Sequence, residues 1–289
     1  MNLPLAYWVH DLSPFLIQFT DTIGVRYYGL AYLAGFAAGW YLLKHYTRRG
    51  LAELGGERLG DLMTALVIGV LLGGRLGYYF FYTPELIVSD PISLLRVWDG
   101  GMASHGGFLG VAAALWWCGR KFALPWRHLA DLVASVAPVG LFFGRVANFI
   151  NGELWGKTST VSWAVIFRDS AAPGTVLEFI APRHPSQLYA AALEGLLLLA
   201  LTQWLIWKTP LLRRSPGRIA GAFVLAYAVA RSAGEIFREP DAGLILGLSR
   251  GTFYSLFLAL GGLALLLAPT RPLPPAALVL PITPAVKKP

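Results

Sequence analysis

Seven stretches of roughly twenty apolar residues recur along the chain, each bounded by charged residues or by proline. A helix of about twenty apolar residues is long enough to cross the hydrocarbon core of a bilayer. Hydrophobic residues make up 56% of the 289 residues and charged residues only 14%, whereas about a quarter of a soluble domain is charged. The sequence therefore predicts an all-α integral membrane protein with seven transmembrane helices. The predicted spans are residues 24–43, 62–82, 105–122, 129–150, 187–207, 219–237 and 253–268.

The predicted spans leave no room for a separate soluble domain. We expect residues 1–268 to form one membrane domain and the proline-rich residues 269–289 to form an irregular cytoplasmic tail. The stretch "MNLPLAYWVHDL" lacks the basic start of a cleavable signal peptide, so we expect it to stay in the mature protein as an interfacial segment. Cys118 is the one cysteine in the sequence, which excludes an internal disulfide and a cysteine metal cluster.

The distribution of positive charge predicts the orientation of the chain. Fourteen of the 24 lysine and arginine residues fall in four segments that share one side of the membrane if the chain enters from outside. The positive-inside rule then predicts that the N-terminus lies outside and the C-terminus lies in the cytoplasm. These segments face anionic lipid and account for most of the net charge of +8, so no nucleic-acid partner is expected. The longest outside loop, residues 152–185, contains "VSWAVIF", which predicts a short strand in a small extracytoplasmic cap.

Polar and charged residues gather at one end of the predicted helices. In the fourth span ("GRVANFINGELWG") and the sixth ("RSAGEIFREPD"), these residues are three or four positions apart and share one helix face. The predicted topology places the whole group in the outer half of the membrane or at its outer surface. Its members are His105, Arg145, Asn148, Glu153, His184, Arg231, Glu235 and Arg238.

An arginine within a membrane span costs about 2.5 to 3.5 kcal/mol on insertion scales, so it usually faces a partner or a water-filled cavity. One interpretation is that Arg145 and Arg231 bind an anionic ligand. The other is that Arg231 pairs with Glu235 and Arg145 extends to the lipid headgroups, with no chemistry. Arg75, in the second span, fits neither interpretation.

Three further motifs lie at the same predicted end. "SHGGFLG" opens the third span with His105, which is either a hydrogen-bonding residue or a base near neutral pH. "RYYGLAYLAG" places tyrosines at the outer end of the first span, as in an aromatic belt. "RHPSQLYA" is typical of a loop that ends in a serine cap, which does not explain the choice of histidine and glutamine.

Taken in order, "YYGLAYL", "HGGFLG", "GRVANFINGELWG", "RHPSQLY" and "RSAGEIFREPD" resemble the prolipoprotein diacylglyceryl transferase family over about residues 24–268. The resemblance implies a seven-span enzyme of the bacterial plasma membrane. Such an enzyme moves the diacylglyceryl group of phosphatidylglycerol onto the thiol of the lipobox cysteine of a prolipoprotein, releases glycerol phosphate, and uses no metal or organic cofactor. It also implies a lipid-accessible cavity open toward the outer leaflet.

The resemblance carries the family's functional residues onto matching positions of this sequence. The candidate catalytic residues are His105, Arg145 and Arg231. The candidate substrate-binding residues are Tyr28, Asn148, Glu153, Gly156, Tyr227, Glu235 and Arg238. The proline-rich tail lies outside the resemblance, and its role is not predicted.

The residue types suit the implied reaction. Breaking a carbon–oxygen bond to a phosphate puts negative charge on that phosphate, and arginine donates two charge-assisted hydrogen bonds to such a group. We therefore expect Arg145 and Arg231 to clamp the phosphate. Asn148 is then a candidate to hold the glycerol headgroup, and Glu153 or Glu235 to orient an arginine.

The nucleophile of this reaction belongs to the substrate. A thiol with a pKa near 8.5 is mostly protonated at neutral pH, so a base would assist the attack. His105 is the candidate base, and headgroup binding is its alternative role, because nearby arginines also lower the pKa of a thiol. Cys118 lies toward the cytoplasmic end of its predicted span.

Two other classes of protein place arginines in a membrane. A transporter or channel for anionic solutes would have polar residues along a path through both leaflets, whereas the inner halves of these spans are mostly apolar. A structural membrane scaffold leaves the clustering at one end unexplained. A phosphatidylglycerol transfer assay separates the three classes, because only the transferase moves diacylglyceryl to protein.

Overall fold

A computed structural model describes residues 7–20, 23–96, 101–240 and 243–273, apart from the side chains of residues 81, 104 and 105. Most of the predicted tail, residues 274–289, therefore lies outside the described residues. The chain forms two compact units. Among the described residues, the first unit contains 7–39 and 133–271, and the second contains 40–132 and 272–273, with the gaps given above.

Helices dominate both units. The sequence contains long runs of consecutive apolar residues, and within a helix the backbone of such a run satisfies its own hydrogen bonds. In chain order the helices are α1 (Tyr27–Arg48), α2 (Arg58–Tyr82), α3 (Pro84–Ser89), α4 (Ser104–Phe122), α5 (Trp126–Ile150), α6 (Ser186–Ala190), α7 (Leu198–Lys208), α8 (Leu211–Arg214), α9 (Arg218–Glu235) and α10 (Arg250–Leu267). A π-helical segment, Ala191–Leu197, joins α6 to α7 into one continuous stretch.

The long helices lie where the sequence predicts spans. Within the described residues, four stretches are long and apolar enough to cross a membrane: Arg58–Phe80, Trp126–Ile150, Ser186–Lys208 and Arg250–Leu267. The prediction of a mostly helical membrane protein is thereby confirmed. The count of seven spans and their orientation stay predictions.

Four short strands belong to the first unit. β1 (Trp8–His10) pairs in parallel with β4 (Val165–Phe167), and β2 (Phe15–Gln18) pairs antiparallel with β3 (Gly24–Arg26). The strand predicted within "VSWAVIF" is confirmed over its last three residues.

The predicted start of the first span at residue 24 is wrong, because residues 24–26 form β3 and the helix begins at Tyr27. Gly24 explains the difference. A Cβ at this position would lie 2.5 Å from the Ile17 carbonyl oxygen and 2.6 Å from the Phe15 ring, so glycine allows the two strands of the hairpin to approach. The apolar run continues through the hairpin, and hydropathy alone does not mark its end.

In the second unit, α2 and α4 pack along a ridge of glycines. A Cβ on Gly77 would lie 2.6 Å from the Gly106 Cα atom, and Gly69 and Gly73 of α2 face Gly110 of α4 at comparably short range. Small residues of this kind let helix backbones approach closely in membranes. Gly106 and Gly110 of "HGGFLG" therefore have a packing role in the structure, whereas a Cβ on Gly107 would meet nothing within 4 Å.

Arg75, which the sequence left unexplained, holds the segment between α2 and α4. Its buried guanidinium donates to the carbonyl oxygens of Ser93 (2.5 Å), Leu94 (3.1 Å), Arg96 (2.7 Å) and Gly101 (3.2 Å). These four carbonyls all belong to the segment between the two helices, so Arg75 orders the loop that leads into α4.

Candidate active site

A fully buried carboxylate joins two arginines in the first unit. Glu194, with an exposed fraction of 0%, lies in the π-helical segment. Its Oε2 accepts from Nε of Arg145 at 2.9 Å and from Nη2 at 2.7 Å. Its Oε1 lies 3.6 Å from Nη1 of Arg231. One side chain thus connects the end of α5 with the end of α9.

A second glutamate completes the network. Glu235 Oε1 lies 2.5 Å from Nη2 of Arg231 and 3.9 Å from Nε of Arg238. Gly251, at the start of α10, makes room for this pair. A Cβ there would lie 2.6 Å from Oε1 of Glu235 and 2.8 Å from Nη2 of Arg231. Glu235 thus lies within ion-pair distance of both arginines, and its role in orienting one of them stays a prediction.

Two tyrosines from the predicted set accompany the arginines. Tyr227, one turn before Arg231, interacts electrostatically with Arg145, Arg231 and Glu194. Tyr28 interacts with Arg145, and its ring contacts that of Tyr32 with 5.3 Å between centroids. Helices α1, α5 and α9 and the π-helical segment therefore contribute side chains to one cluster, and the start of α10 packs against it.

The chain turns sharply after α5 and is held there by amides. Asn148 Nδ2 donates to Oε1 of Glu153 at 2.7 Å, and Asn151 Nδ2 lies 3.4 Å from the same oxygen. Gln187 Nε2 donates to the Glu153 carbonyl oxygen at 2.6 Å, and Gly152 in the turn has a φ of 67°. Among the described residues Glu153 bonds to asparagines, whereas Glu194 and Glu235 orient the arginines.

Gly156 allows three stretches of backbone to meet beside the cluster. Its N–H donates to the His184 carbonyl oxygen at 2.9 Å, and the next residue, Lys157, donates from its backbone to the Phe237 carbonyl oxygen at 2.8 Å. A Cβ on Gly156 would lie 2.6 Å from both of these oxygens. The glycine is therefore required by packing, and this residue offers a substrate no side chain.

A small cavity opens among these groups. Its volume is about 10 Å³, which is room for about one water-sized group. Its polar lining comes from residues of α5, α6 and α9 and from the segment after α9: Arg145, Asn148, Ser186, Gln187, Arg231 and Arg238. Five guanidinium and amide side chains and one hydroxyl thus line this small space.

Among the predicted site residues, His105 is the one whose side chain the structure does not describe. It is the second residue of α4, in the second unit, and its side chain lies outside the described residues. Its role as base or headgroup ligand stays a prediction.

Two functional candidates were missed in the sequence. Glu194 is an acidic residue within a predicted span, and such a residue is by default a candidate for function, so its position alone was a usable signal. His10 Nε2 donates to the Phe149 carbonyl oxygen at 2.7 Å and so fixes the end of α5 beside Asn148. That contact joins residues 139 positions apart, and nothing local in the sequence indicates it.

His184 lies outside the membrane helices, and burial is the cause of its shifted pKa. Its Nδ1 lies 3.1 Å from the Tyr189 hydroxyl, and its ring contacts Phe237. Partial burial disfavours the charged imidazolium and lowers the pKa of His184 below its ordinary value.

Comparison with known proteins places this chain in a family. Residues 14–268 match the family model for prolipoprotein diacylglyceryl transferase. The chain belongs to the prolipoprotein diacylglyceryl transferase family. All ten candidate site residues fall within the matched range.

Similar proteins carry the name phosphatidylglycerol–prolipoprotein diacylglyceryl transferase. The protein of Ruegeria pomeroyi is 45% identical over 247 residues, which cover 81% of this chain and 83% of that protein. The protein of Rhodospirillum centenum is 45% identical over 261 residues, covering 86% and 90%. That of Cereibacter sphaeroides is 42% identical over 287 residues, covering 90% and 97%. The similarity therefore extends over nearly the whole length of these transferases.

Proposed function

We propose that this chain transfers the diacylglyceryl group of phosphatidylglycerol to the lipobox cysteine of prolipoproteins, the first step of lipoprotein maturation. The observation that carries the proposal is the buried cluster in which Arg145 and Arg231 face one carboxylate, within a chain of this transferase family. A buried pair of arginines beside a small polar cavity suits a phosphodiester headgroup.

The reaction exchanges one bond for another. The substrate thiol sulfur forms a bond to a carbon of the diacylglyceryl group, and the bond from that carbon to the phosphate oxygen breaks. The bond electrons leave with the phosphate, so glycerol phosphate departs as a monoester, and the thiol proton passes to a base. The phosphate gains one negative charge in this step, and groups that stabilise that charge accelerate it.

The arginines supply this stabilisation. Arg145 is held through Nε and Nη2 by Glu194, which leaves Nη1 to donate elsewhere. Arg231 is held on Nη2 by Glu235. Because the carboxylates fix the orientation of both guanidiniums beforehand, little rearrangement is needed when charge develops on the phosphate. We assign Arg145 and Arg231 to the phosphate and Arg238, Asn148 and the tyrosines to the rest of the headgroup.

The proton acceptor is the candidate base His105, whose assignment rests on the sequence resemblance. Glu153 is assigned to holding Asn148, and Gly156 to the close packing of the loop beside the cavity, on the contacts described above. No step is assigned to Cys118.

The orientation of the chain supports access to lipid. We place seven spans in the bacterial cytoplasmic membrane, with the N-terminus outside, the tail of residues 269–289 in the cytoplasm, and residues 1–268 as the catalytic membrane domain. The ends of α5 and α9 and the start of α6 then lie toward the outer leaflet. The excess of lysine and arginine in the segments assigned to the cytoplasm supports this orientation.

The test is transfer of labelled diacylglyceryl from phosphatidylglycerol to a lipobox peptide by purified protein in detergent. Wild type is compared with Arg145→Ala, Arg231→Ala and His105→Asn, and the matched control is Arg168→Ala, an exposed arginine of the same unit. Replacing either cluster arginine with alanine is expected to lower the transfer rate at least 100-fold, as is typical of a group that stabilises developing charge. The control is expected to keep the wild-type rate.

The outcomes are separable. Loss of transfer in both arginine variants, measured at a temperature where each variant is folded, supports the phosphate clamp. Full activity in His105→Asn moves the base to another residue. Folded wild type that transfers nothing from phosphatidylglycerol to the peptide contradicts the proposed function.

A further inference from the structure

Gln187 is a buried amide whose two polar ends have different surroundings. The side chain begins the fifth predicted span, is only 2% exposed and lines the small cavity beside Arg145 and Arg231. Its Nε2 donates to the Glu153 carbonyl oxygen at 2.6 Å. Its Oε1 is buried and accepts no hydrogen bond from any of the residues that the structure describes.

The orientation of this amide is fixed by chemistry. A carbonyl oxygen only accepts hydrogen bonds, so the end of the amide next to Glu153 must be the nitrogen. The reverse orientation would set two oxygens 2.6 Å apart. The free acceptor is therefore Oε1. A buried acceptor without a donor is unfavourable, which makes it a place where a ligand that brings a donor is favoured.

The three arginines that line the cavity, Arg145, Arg231 and Arg238, have the opposite character. Arginine side chains only donate hydrogen bonds, and they suit the acceptor oxygens of a phosphate. Gln187 Oε1 instead requires a donor. A ligand that satisfies both needs carries a hydroxyl close to a phosphate, and the glycerol headgroup of phosphatidylglycerol has two hydroxyls on the alcohol esterified to its phosphate.

We infer that Gln187 is a specificity-determining residue whose Oε1 accepts a hydrogen bond from a hydroxyl of the lipid headgroup. The inference rests on the proposed function and adds the basis on which the site chooses its lipid. It also gives a reason for the glutamine in "RHPSQLY", which helix capping does not explain. Lipids with the same phosphate but no headgroup hydroxyl leave Oε1 without a donor and are poorer substrates.

The test compares two lipids that differ only in these hydroxyls. Phosphatidylglycerol and phosphatidylpropanol with identical acyl chains are each offered to wild type and to Gln187→Met, and kcat/KM is measured for diacylglyceryl transfer to a lipobox peptide. Wild type is expected to prefer phosphatidylglycerol by about tenfold or more, because sites that bond a substrate hydroxyl reject the analogue without it. Gln187→Met is expected to lower the preference to about twofold or less.

The preference, not the rate, is the readout that separates recognition from structure. Loss of the bond to Glu153 alone would slow both lipids alike and leave the ratio unchanged. The matched control is Gln203→Met. Gln203 also donates from Nε2 to a carbonyl oxygen, that of Ser135 at 2.9 Å, and is not among the residues that line the cavity in the described part of the chain. Its variant is expected to keep the wild-type ratio.

Wild type without a preference between the two lipids overturns the inference, and so does a Gln187→Met protein that keeps the preference. If Gln187→Met does not fold, Gln187→Asn decides, because it keeps the amide but is one methylene shorter and withdraws the acceptor from the cavity. Preference lost in that variant supports the inference, and preference kept overturns it. Wild type that transfers from neither lipid contradicts the proposed function instead, so the two failures are distinct.

Discussion

Replacement of Glu194 by alanine tests the central structural argument of the site. The substitution removes the carboxylate that accepts two hydrogen bonds from Arg145 and lies 3.6 Å from Arg231. Both guanidiniums then remain in a poorly hydrated place with one anion fewer. We expect Glu194→Ala to lower both the free energy of unfolding and the rate of transfer.

The magnitude follows from the contacts that are lost. Removing one partner of a buried ion pair costs about 3 to 5 kcal/mol, because the remaining charge is left without compensation. Glu194→Gln keeps an oxygen that can accept from Arg145 but loses the charge. The guanidinium of Arg145 stays charged, so the hydrogen bond that glutamine keeps contributes about 1.5 to 3 kcal/mol, and the expected loss is smaller than in Glu194→Ala by about that amount. The predicted order of stability is wild type, then Glu194→Gln, then Glu194→Ala.

The assay combines reversible unfolding of purified protein in detergent with the transfer rate at saturating lipid. The control is Glu178→Ala, which removes an exposed glutamate of the same unit. Disordering the guanidinium of Arg145 is expected to slow transfer at least tenfold in Glu194→Gln, even at temperatures where that protein is folded. The control is expected to match wild type in both measurements.

Two results would refute the reasoning. The first is a Glu194→Ala protein whose free energy of unfolding lies within about 0.5 kcal/mol of wild type, the range typical of surface substitutions. The second is a stable Glu194→Gln protein with the wild-type transfer rate, which would show that the arginines are ordered without this carboxylate.

Three further predictions concern packing and titration. Gly156→Ala sets a methyl group 2.6 Å from two carbonyl oxygens and is expected to destabilise the protein by about 1 to 3 kcal/mol and to reduce transfer; an unchanged melting curve would contradict the packing role. Arg75→Leu removes the guanidinium that donates to four loop carbonyls, and is expected to lower the free energy of unfolding, measured by chemical denaturation, by about 3 kcal/mol. The control Arg168→Leu is expected to change it little. Burial lowers the pKa of His184, so the unfolded chain binds the proton more readily than the folded chain, and stability falls as the pH drops below about 6.5. Melting temperatures measured from pH 8 to pH 5 are expected to fall less steeply in His184→Gln than in wild type. An equal slope in the two proteins would refute the assignment.

The helices could be predicted because their signal is local. Hydropathy over about twenty residues marks a membrane helix wherever its neighbours lie, since the backbone must bond internally in lipid. The same local logic placed Arg145 and Asn148 on one face of α5 and Arg231 and Glu235 on one face of α9. It failed at Gly24, where the apolar run continues into a hairpin whose pairing partner precedes it in the sequence.

The contacts that organise the site are non-local, and sequence spacing does not reveal them. Glu194 lies 49 residues from Arg145, and its approach depends on a π-helical segment that no periodicity of 3.6 residues predicts. The close approaches at Gly156 and Gly251 likewise join segments far apart in the chain. Sequence reasoning therefore found which residues are charged and on which helix face they lie, but not which carboxylate each arginine meets.

The carboxylates also resolve how the two clamp arginines coexist before a phosphate arrives. Arg145 and Arg231 carry two positive charges, and Glu194 and Glu235 carry two negative ones, so these four side chains are neutral together. The cost of burying each charge is offset by its neighbours, and the guanidiniums are already oriented. The product phosphate carries one more negative charge than the lipid phosphodiester, and a large excess of positive charge would hold that product strongly. With Arg238, which also lines the cavity, the network carries one net positive charge, so the two carboxylates limit this excess and help the product leave. Glu194→Gln, which raises the charge of the set by one, is therefore expected to bind glycerol phosphate at least tenfold more tightly as a product inhibitor, and unchanged inhibition would contradict this account of the charge balance.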